Sequence, residues 1–314
     1  MLTTLVFLTD ERGLLLTEHA AAAAVVTQGY VPHMIIFCIG FLPIKPSILQ
    51  TAAKARGFTV EYRTLAVAEG ITDGYEAIGP HAHVSSATLL KMAALHAISK
   101  EFDRALYLDG DVLLMQPFDV GSIEFDGATI AAVYDMAWAG ASSTELDFFS
   151  RCDANGRSPH YFNAGVIAAD FTNWNDELPR QYDAYLQDHA KSCDYKVNCG
   201  CPDQCAWNRT FESKWKRLPL TFNFQAYAIF SELWTTAAVR HYVGPTKFLP
   251  FKPWRNDSLD THLLTKARSI LGLPAIGMPL AGLARSLNRI RHGRTIEETN
   301  QALVRIGQLF RQAM

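Results

Sequence analysis

Phe58–Tyr62 reads as a short strand, and short, mostly apolar runs recur at Leu5–Leu8, Met34–Ile39, Leu106–Leu108, Ala128–Tyr134 and Gly165–Ala169. Runs of this length read as strands buried on both faces. The Ala-rich stretch Leu14–Gln28 between the first two runs reads as a helix. Ser86–Ser99 reads as another, with Leu89, Met92, Ala93 and Leu95 on one face. Strand, helix and strand in this order predict βαβ units and a mainly parallel sheet, with alternating α/β structure to about residue 255. The sequence holds no internal repeat and no low-complexity tract. A boundary is expected near Asp257–Thr261, so the chain divides into a catalytic domain at 1–260 and a helical tail at 261–314. In the tail, Leu280, Leu283, Leu287 and Ile290 recur at helical spacing, and Arg285, Arg289 and His292 line another face. Thr295 with Glu298 makes a capping box for a further helix carrying Leu303, Ile306 and Phe310.

The strand ending at Leu108 leads into Asp109-Gly110-Asp111. Carboxylates two apart on an extended segment point the same way, so both can reach one hard divalent cation. Gly110 lets the backbone approach whatever that cation holds. Ligands of parallel sheets bind beyond the carboxyl ends of the strands, which is where this pair stands. The chemistry implied is a metal site for a diphosphate, although an Asp-Gly turn between strands has the same local sequence.

Charge alters the picture at one end only. The formal net charge of −2 gives no reason to expect nucleic acid. Residues 261–314 hold eight Lys/Arg against two Glu, an excess of +6 that leaves the first 260 residues at −8. A basic amphipathic tail suits an anionic membrane surface, and packing of the same helices on the catalytic domain is the alternative. The first apolar stretch has no basic lead and is broken at Asp10, Glu11 and Arg12, which argues against a signal peptide. No uninterrupted apolar span approaches transmembrane length. The expected location is therefore the cytoplasm, with the tail as a candidate peripheral attachment to the inner face of the membrane.

Four further segments stand in a set order after the Asp pair: Phe162-Asn163-Ala164-Gly165-Val166, then Asp203-Gln204, then His241-Tyr242-Val243-Gly244, then Lys252-Pro253-Trp254. Together, over residues 5–255, they resemble the retaining glycosyltransferases of family 8, typified by glycogenin and the bacterial lipopolysaccharide α-galactosyltransferases. The resemblance implies one nucleotide-sugar-binding, Rossmann-like domain of the GT-A type. Its implied activity is transfer of a hexose, galactose or glucose, from a UDP-α-sugar to an acceptor hydroxyl with retention of configuration. The setting implied is lipopolysaccharide or other surface-glycan assembly, with a carbohydrate or a lipid-linked saccharide as acceptor. Mn²⁺ or Mg²⁺ would be held by Asp109, Asp111 and His241. Asp203 and Gln204 would act on the transferred sugar, Asp203 on its hydroxyls and Gln204 through its carbonyl dipole under the anomeric carbon. Thr9, Asp10, His83, Lys91, Gly110, Asn163, Ala164 and Gly244 would line the donor pocket, with Asp135 at the end of Ala131–Asp135 as a further sugar or acceptor contact. A protein that glucosylates itself as a primer, or one that binds the donor without turnover, shares the same motifs.

The chain departs from the family pattern at three places. The segment from His241 reads HYVGPTKFLPFKPW, so Lys247 has the expected distance from Gly244 while Lys252 has the expected neighbours. Pro253 and Trp254 fix the chain after it and favour Lys252 as the clamp on the leaving diphosphate. Lys91 stands where an Arg is common, and it brings a point charge in place of a planar fork. After the first strand, Arg12 and Gly13 replace the more usual Asn and aromatic residue, so a stacking partner for the base is missing there. Cys193, Cys199, Cys201 and Cys205 surround Asp203-Gln204, and their spacing departs from structural-zinc patterns. Zinc, independent thiols and a redox-formed bridge remain open for them.

Overall fold

The computed structural model describes residues 1–44, 46–65, 86–136, 161–192 and 201–276, the last range without 213, 227, 228, 230, 232, 245, 246 and 250–256. The tail helices expected beyond residue 277, and Cys193 and Cys199, lie outside the described residues.

Seven strands build the main sheet. They are β1 (Thr3–Thr9), β2 (His33–Ile39), β3 (Thr59–Leu65), β4 (Arg104–Leu108), β6 (Ile130–Tyr134), β7 (Phe162–Asp170) and β8 (Trp215–Arg217), in spatial order β3-β2-β1-β4-β7-β6-β8. Only β7 runs against the others, pairing antiparallel with both β4 and β6. Each apolar run of the sequence lies on one of these strands. A second sheet, which the sequence does not announce, joins β5 (Val112–Leu114), β10 (Val239–His241) and β9 (Phe224–Gln225) in that order.

The sheet divides the core in two, as the strict alternation of side chains along β1 and β4 requires. Leu5, Phe7, Leu106 and Leu108 face α1 (Leu14–Thr27). Val6, Leu8, Ala105 and Tyr107 face α3 (Lys91–Ile98), α4 (Glu177–Ser192) and α5 (Pro202–Thr210). The helix expected at Ser86–Ser99 starts as a 3₁₀ turn at Ser86–Leu90, and Ala94, not Ala93, is its fully buried alanine. Helix α2 (Ile48–Lys54) opens with a reciprocal capping box of Ser47 and Gln50. A short helix, α6 (Leu233–Thr236), precedes β10.

Helix α7 (Ser258–Ile270) spans the expected boundary at residue 260. Asp257 caps it, accepting from the N–H groups of Leu259 and Asp260. Its Leu263, Leu264, Ala267 and Ile270 are buried in the same core as the alanines of α1. The five consecutive alanines at 20–24 are at most 1% exposed, and their small side chains leave α1 room between the sheet and α7.

Buried His19 sits at that helix contact. Its Nδ1–H donates to the Leu15 carbonyl at 2.7 Å, and Nε2 accepts from Arg268 at 3.4 Å. Burial holds the imidazole pKa below its usual value, and Arg268 pushes the same way against the Leu15 bond. The stabilisation from keeping His19 neutral is complete above the unfolded imidazole pKa of about 6.5, and it is lost as the pH falls from there through the lower folded value. His19→Gln should therefore show a shallower loss of unfolding free energy between pH 7 and pH 5 than the parent chain in urea titrations. Equal slopes would place the acid sensitivity elsewhere.

Candidate active site

Strand β4 of the large sheet passes the chain to β5 of the small one through a tight turn, in which the Val112 N–H donates to the Asp109 carbonyl at 3.1 Å. Asp109 and Asp111 sit in this turn. Their carboxylates converge because the chain reverses, not because the segment is extended as the sequence suggested. The register of β5 with β10 places His241 opposite Val112, and the Tyr242 N–H donates to the Asp111 carbonyl at 3.0 Å. The His241 Nε2 thereby lies 3.3 Å from Asp111 Oδ1 and 4.0 Å from Asp109 Oδ2. One ligand atom from each of the three residues falls within 4.8 Å of the others.

Glycines make this convergence sterically feasible. A Cβ on Gly165 would lie 2.1 Å from His241 Cε1, so the imidazole packs directly on the β7 backbone. A Cβ on Gly110 would lie 2.3 Å from Thr17 Oγ1, so the turn rests on α1. Gly244, with φ +66°, turns the chain after β10 and brings Lys247 back to Asp111, with which it forms an ion pair.

Lys91 opens α3 and is 2% exposed. Its ammonium meets Asp109 at 3.1 Å, Asp203 at 3.2 Å and the Ala164 carbonyl at 3.1 Å. Burial works against its charge, but Asp109 and Asp203 outweigh burial and raise its pKa. Burial likewise opposes ionisation of Asp111, yet His241 and Lys247 hold its carboxyl below the usual carboxylate range. Asp203 moves the other way, its pKa raised by burial and by Asp109 against the pull of Lys91. Tyr107, two residues before Asp109 on the same face of β4, donates its hydroxyl to Asp109 Oδ1 at 2.7 Å.

A chain of buried amides runs from the histidine towards the far side of the site. His241 Nδ1 lies 3.0 Å from Asn223 Oδ1, Asn223 donates to Asn163 Oδ1 at 3.0 Å, and Asn163 donates to Gln204 Oε1 at 3.1 Å. Gln204 donates to Asp135 Oδ2 at 2.6 Å, and its carbonyl also accepts from the Ala164 N–H at 3.2 Å. Both lone pairs of the Gln204 carbonyl are therefore engaged within the protein.

Most of the residues picked from sequence thus meet at one edge. Asp109, Gly110, Asp111, His241 and Lys247 form its centre, with Lys91, Ala164, Asp203, Asn163, Gln204 and Asp135 around them. Thr9 ends β1 and Asp10 follows it, and β1 is parallel to β4 and ends on the same edge. Asp10 accepts from the Gly13 N–H at 2.7 Å, and a Cβ on Gly13 would come within 2.9 Å of the Thr9 hydroxyl. His83 and Lys252, with Pro253 and Trp254, lie outside the described residues. Tyr107 and Asn223 were missed by sequence reasoning. Strand alternation alone could have found Tyr107, whereas nothing local marks Asn223.

The donor set fits a divalent cation. Two carboxylates and an imidazole suit Mn²⁺ in particular, and hard oxygen ligands suit Mg²⁺. Among the described residues the site holds four carboxylates (Asp109, Asp111, Asp135 and Asp203) against two ammonium groups (Lys91 and Lys247). The excess of two negative charges equals the charge of one such ion.

The Glycosyl transferase family 8 model matches residues 49–258. The chain belongs to that family, and its fold is mixed α/β with a mostly parallel sheet. Glycosyltransferase GlyB of Streptococcus pneumoniae serotype 4 (strain ATCC BAA-334 / TIGR4) is 28% identical over 159 residues, which are 50% of this chain and 32% of GlyB. This chain therefore spans about a third of that relative. The galactosyltransferase LgtC, solved with donor and acceptor sugar analogs, superposes with a TM-score of 0.59 over 89% of this chain and 99% of its own, at 18% identity. The bifunctional glycosyltransferase WbbM gives 0.55 over 90% of this chain and 51% of its own, at 16% identity. At such identities the likeness to the solved structures is one of fold.

Gly165→Ala tests the packing that holds the imidazole. The added methyl should displace His241, costing about 1–3 kcal/mol of stability as overpacking and weakening Mn²⁺ binding measured by calorimetry. Unaltered metal binding would show that the ring position is not set by β7.

Proposed function

We propose that this protein transfers a hexose from a UDP-α-sugar to an acceptor hydroxyl with retention of configuration, using a divalent cation held by Asp109, Asp111 and His241. The observation that carries the reading is the approach of these three ligand groups at a strand edge that also holds Asp203, Lys91 and Lys247. The cation would neutralise charge on the leaving diphosphate.

The chain's own residues take the remaining roles. Lys247, paired with Asp111 and about one-third exposed, can turn its ammonium from that carboxylate to a diphosphate oxygen. It has the family's distance from Gly244, and this reading assigns it the clamp in preference to Lys252. Asp203 offers a carboxylate to sugar hydroxyls while Lys91 fixes its direction. Asn163, Ala164 and Asp135 border the same space. Gln204 is an amide and a poor nucleophile, which favours a same-face reaction over a covalent intermediate. It joins the reaction when the sugar replaces Asn163 or Ala164 at its carbonyl. In such a reaction the departing phosphate oxygen takes the acceptor proton, and the acceptor enters on the face the diphosphate leaves.

Thr9 and Asp10 would meet the nucleoside, and His83 the donor. The basic segment from residue 261, joined to a lipid-linked saccharide acceptor, would place the enzyme on an anionic membrane surface in surface-glycan assembly. No helix among the described residues is long and apolar enough to cross a membrane.

Release of UDP from a panel of UDP-hexoses with Mn²⁺ tests the activity directly. Asp109→Asn and Asp111→Asn should each reduce transfer to background, as should EDTA, with recovery on adding Mn²⁺. Full activity in EDTA would overturn the metal assignment.

The two lysines are separated by their kinetics. Lys247→Ala should lower kcat by about 10²-fold, the scale of losing a charge partner for the leaving group, while Lys252→Ala changes it far less. The opposite ranking would return the clamp to Lys252.

A further inference from the structure

The orientation of a side-chain amide is ordinarily a matter of assignment, because its oxygen and nitrogen look alike. Here two backbone N–H groups settle it. The Gly165 N–H donates to Asn163 Oδ1 at 3.0 Å, so that atom is the oxygen and Asn163 Nδ2 faces Gln204. The Ala164 N–H donates to Gln204 Oε1, which sets the second amide the same way. The group that Asn223 turns towards Asn163 Oδ1 must then be its Nδ2, and the atom it turns towards His241 must be its oxygen. An oxygen acceptor requires a proton on His241 Nδ1. In the neutral ring the lone pair is then on Nε2, the atom that faces Asp111 and Asp109 and that a metal would take.

We propose that Asn223 is a positioning residue that fixes His241 in the Nδ1–H tautomer for metal binding and, through its other end, ties that histidine to the sugar-side amides Asn163 and Gln204. The inference rests on the proposed metal-dependent transfer. Asn223 is fully buried at the end of a 3₁₀ turn (Leu220–Asn223) that leads into β9, and β9 pairs with β10 beside His241. The sheet that carries the histidine thus also carries the residue that orients it. A bond from a ligating imidazole to a fixed acceptor sets both ring rotation and tautomer. The amide nitrogen of Asn223 donates to Asn163, which in turn reaches both Gln204 and Asp135. Ring orientation and sugar-pocket shape are therefore set by one residue with one donor and one acceptor in use.

Substitutions that keep one end and lose the other separate this role from mere packing. Asn223→Asp keeps an acceptor for His241 and loses the donor to Asn163, whereas Asn223→Ala loses both. Mn²⁺ dissociation constants would be read by electron paramagnetic resonance of free Mn²⁺, with and without UDP. The His241 tautomer would be read by ¹⁵N NMR, and UDP-sugar turnover by UDP release. Asn223→Ala should weaken Mn²⁺ binding by about 10–100-fold, the usual scale for losing such an outer partner, and lose the Nδ1–H signature. Asn223→Asp should keep the Mn²⁺ affinity and tautomer of the parent while kcat falls by about tenfold, the cost of one buried hydrogen bond. If the alanine variant fails to fold, the isosteric Asp variant decides. Metal affinity and kcat falling together in it, or both staying unchanged, would overturn the proposal. A parent chain that binds no Mn²⁺ even with UDP would instead overturn the metal-dependent function beneath it.

Discussion

A carboxylate out of water without a counter-charge is costly, and the turn between β4 and β5 places Asp109 and Asp111 side by side with Asp203 close behind. Much of the surrounding structure answers that concentration of charge. Lys91 gives up solvent to stand between Asp109 and Asp203, Lys247 folds back on Asp111, and Tyr107 donates to Asp109 from within the strand. These groups leave the site two charges short of neutrality. A fully neutralised turn would be more comfortable for the protein alone, but it would have no appetite for a cation. The shortfall is the electrostatic feature on which the proposed chemistry depends.

Holding the ligands in place is a separate matter from balancing their charge. The small sheet does this through register: β10 sets His241 opposite Val112, and the next residue back, Arg240, points to the other face. There its guanidinium donates to Asp257 at 2.9 Å and Asp260 at 2.6 Å, the N-terminal residues of α7. One strand of three residues thus carries a metal-ligand candidate on one face and a buried ionic anchor on the other. Removing one partner of such a buried cluster strands the rest in low dielectric, so α7 is tied to the site electrostatically as well as to α1 by its apolar face. A division of the chain at residue 260 passes through that anchor, because the boundary inferred from a change of composition did not register the Arg240 contacts.

What was legible in the sequence was legible because it is local. Buried strands of a parallel sheet announce themselves as apolar runs, and the Asp-Gly-Asp turn, Asn163, Asp203-Gln204 and His241 each stand in a recognisable short context. The small sheet has strands of two or three residues, too short for any period to show. The resemblance placed Lys91 in the donor pocket, and the fold shows what it does there: it stands between Asp109 and Asp203. Asn223 carries no local mark at all, since its importance comes from Asn163 and His241, which lie 60 and 18 residues away. Neighbouring residues favoured Lys252 for the clamp, whereas the pairing of Lys247 with Asp111 shows only once the chain is folded. The helix over Glu177–Ser192 went unread, although Asn175, whose side chain accepts from the Glu177 N–H, marks its start.

Lysine at position 91, where the resemblance leads one to expect arginine, has a geometric rationale. An ammonium offers three protons from one point, and three acceptors surround it: Asp109, Asp203 and the Ala164 carbonyl. The match leaves no buried donor unmet. A guanidinium would bring five N–H groups in a rigid plane to the same place. A lysine here serves the carboxylates, and the proposed diphosphate clamp falls to Lys247. In this chain, then, the buried positive charge on α3 orients acids, while the one-third-exposed one after β10 is paired with Asp111 and free on its outer side for the role proposed for it.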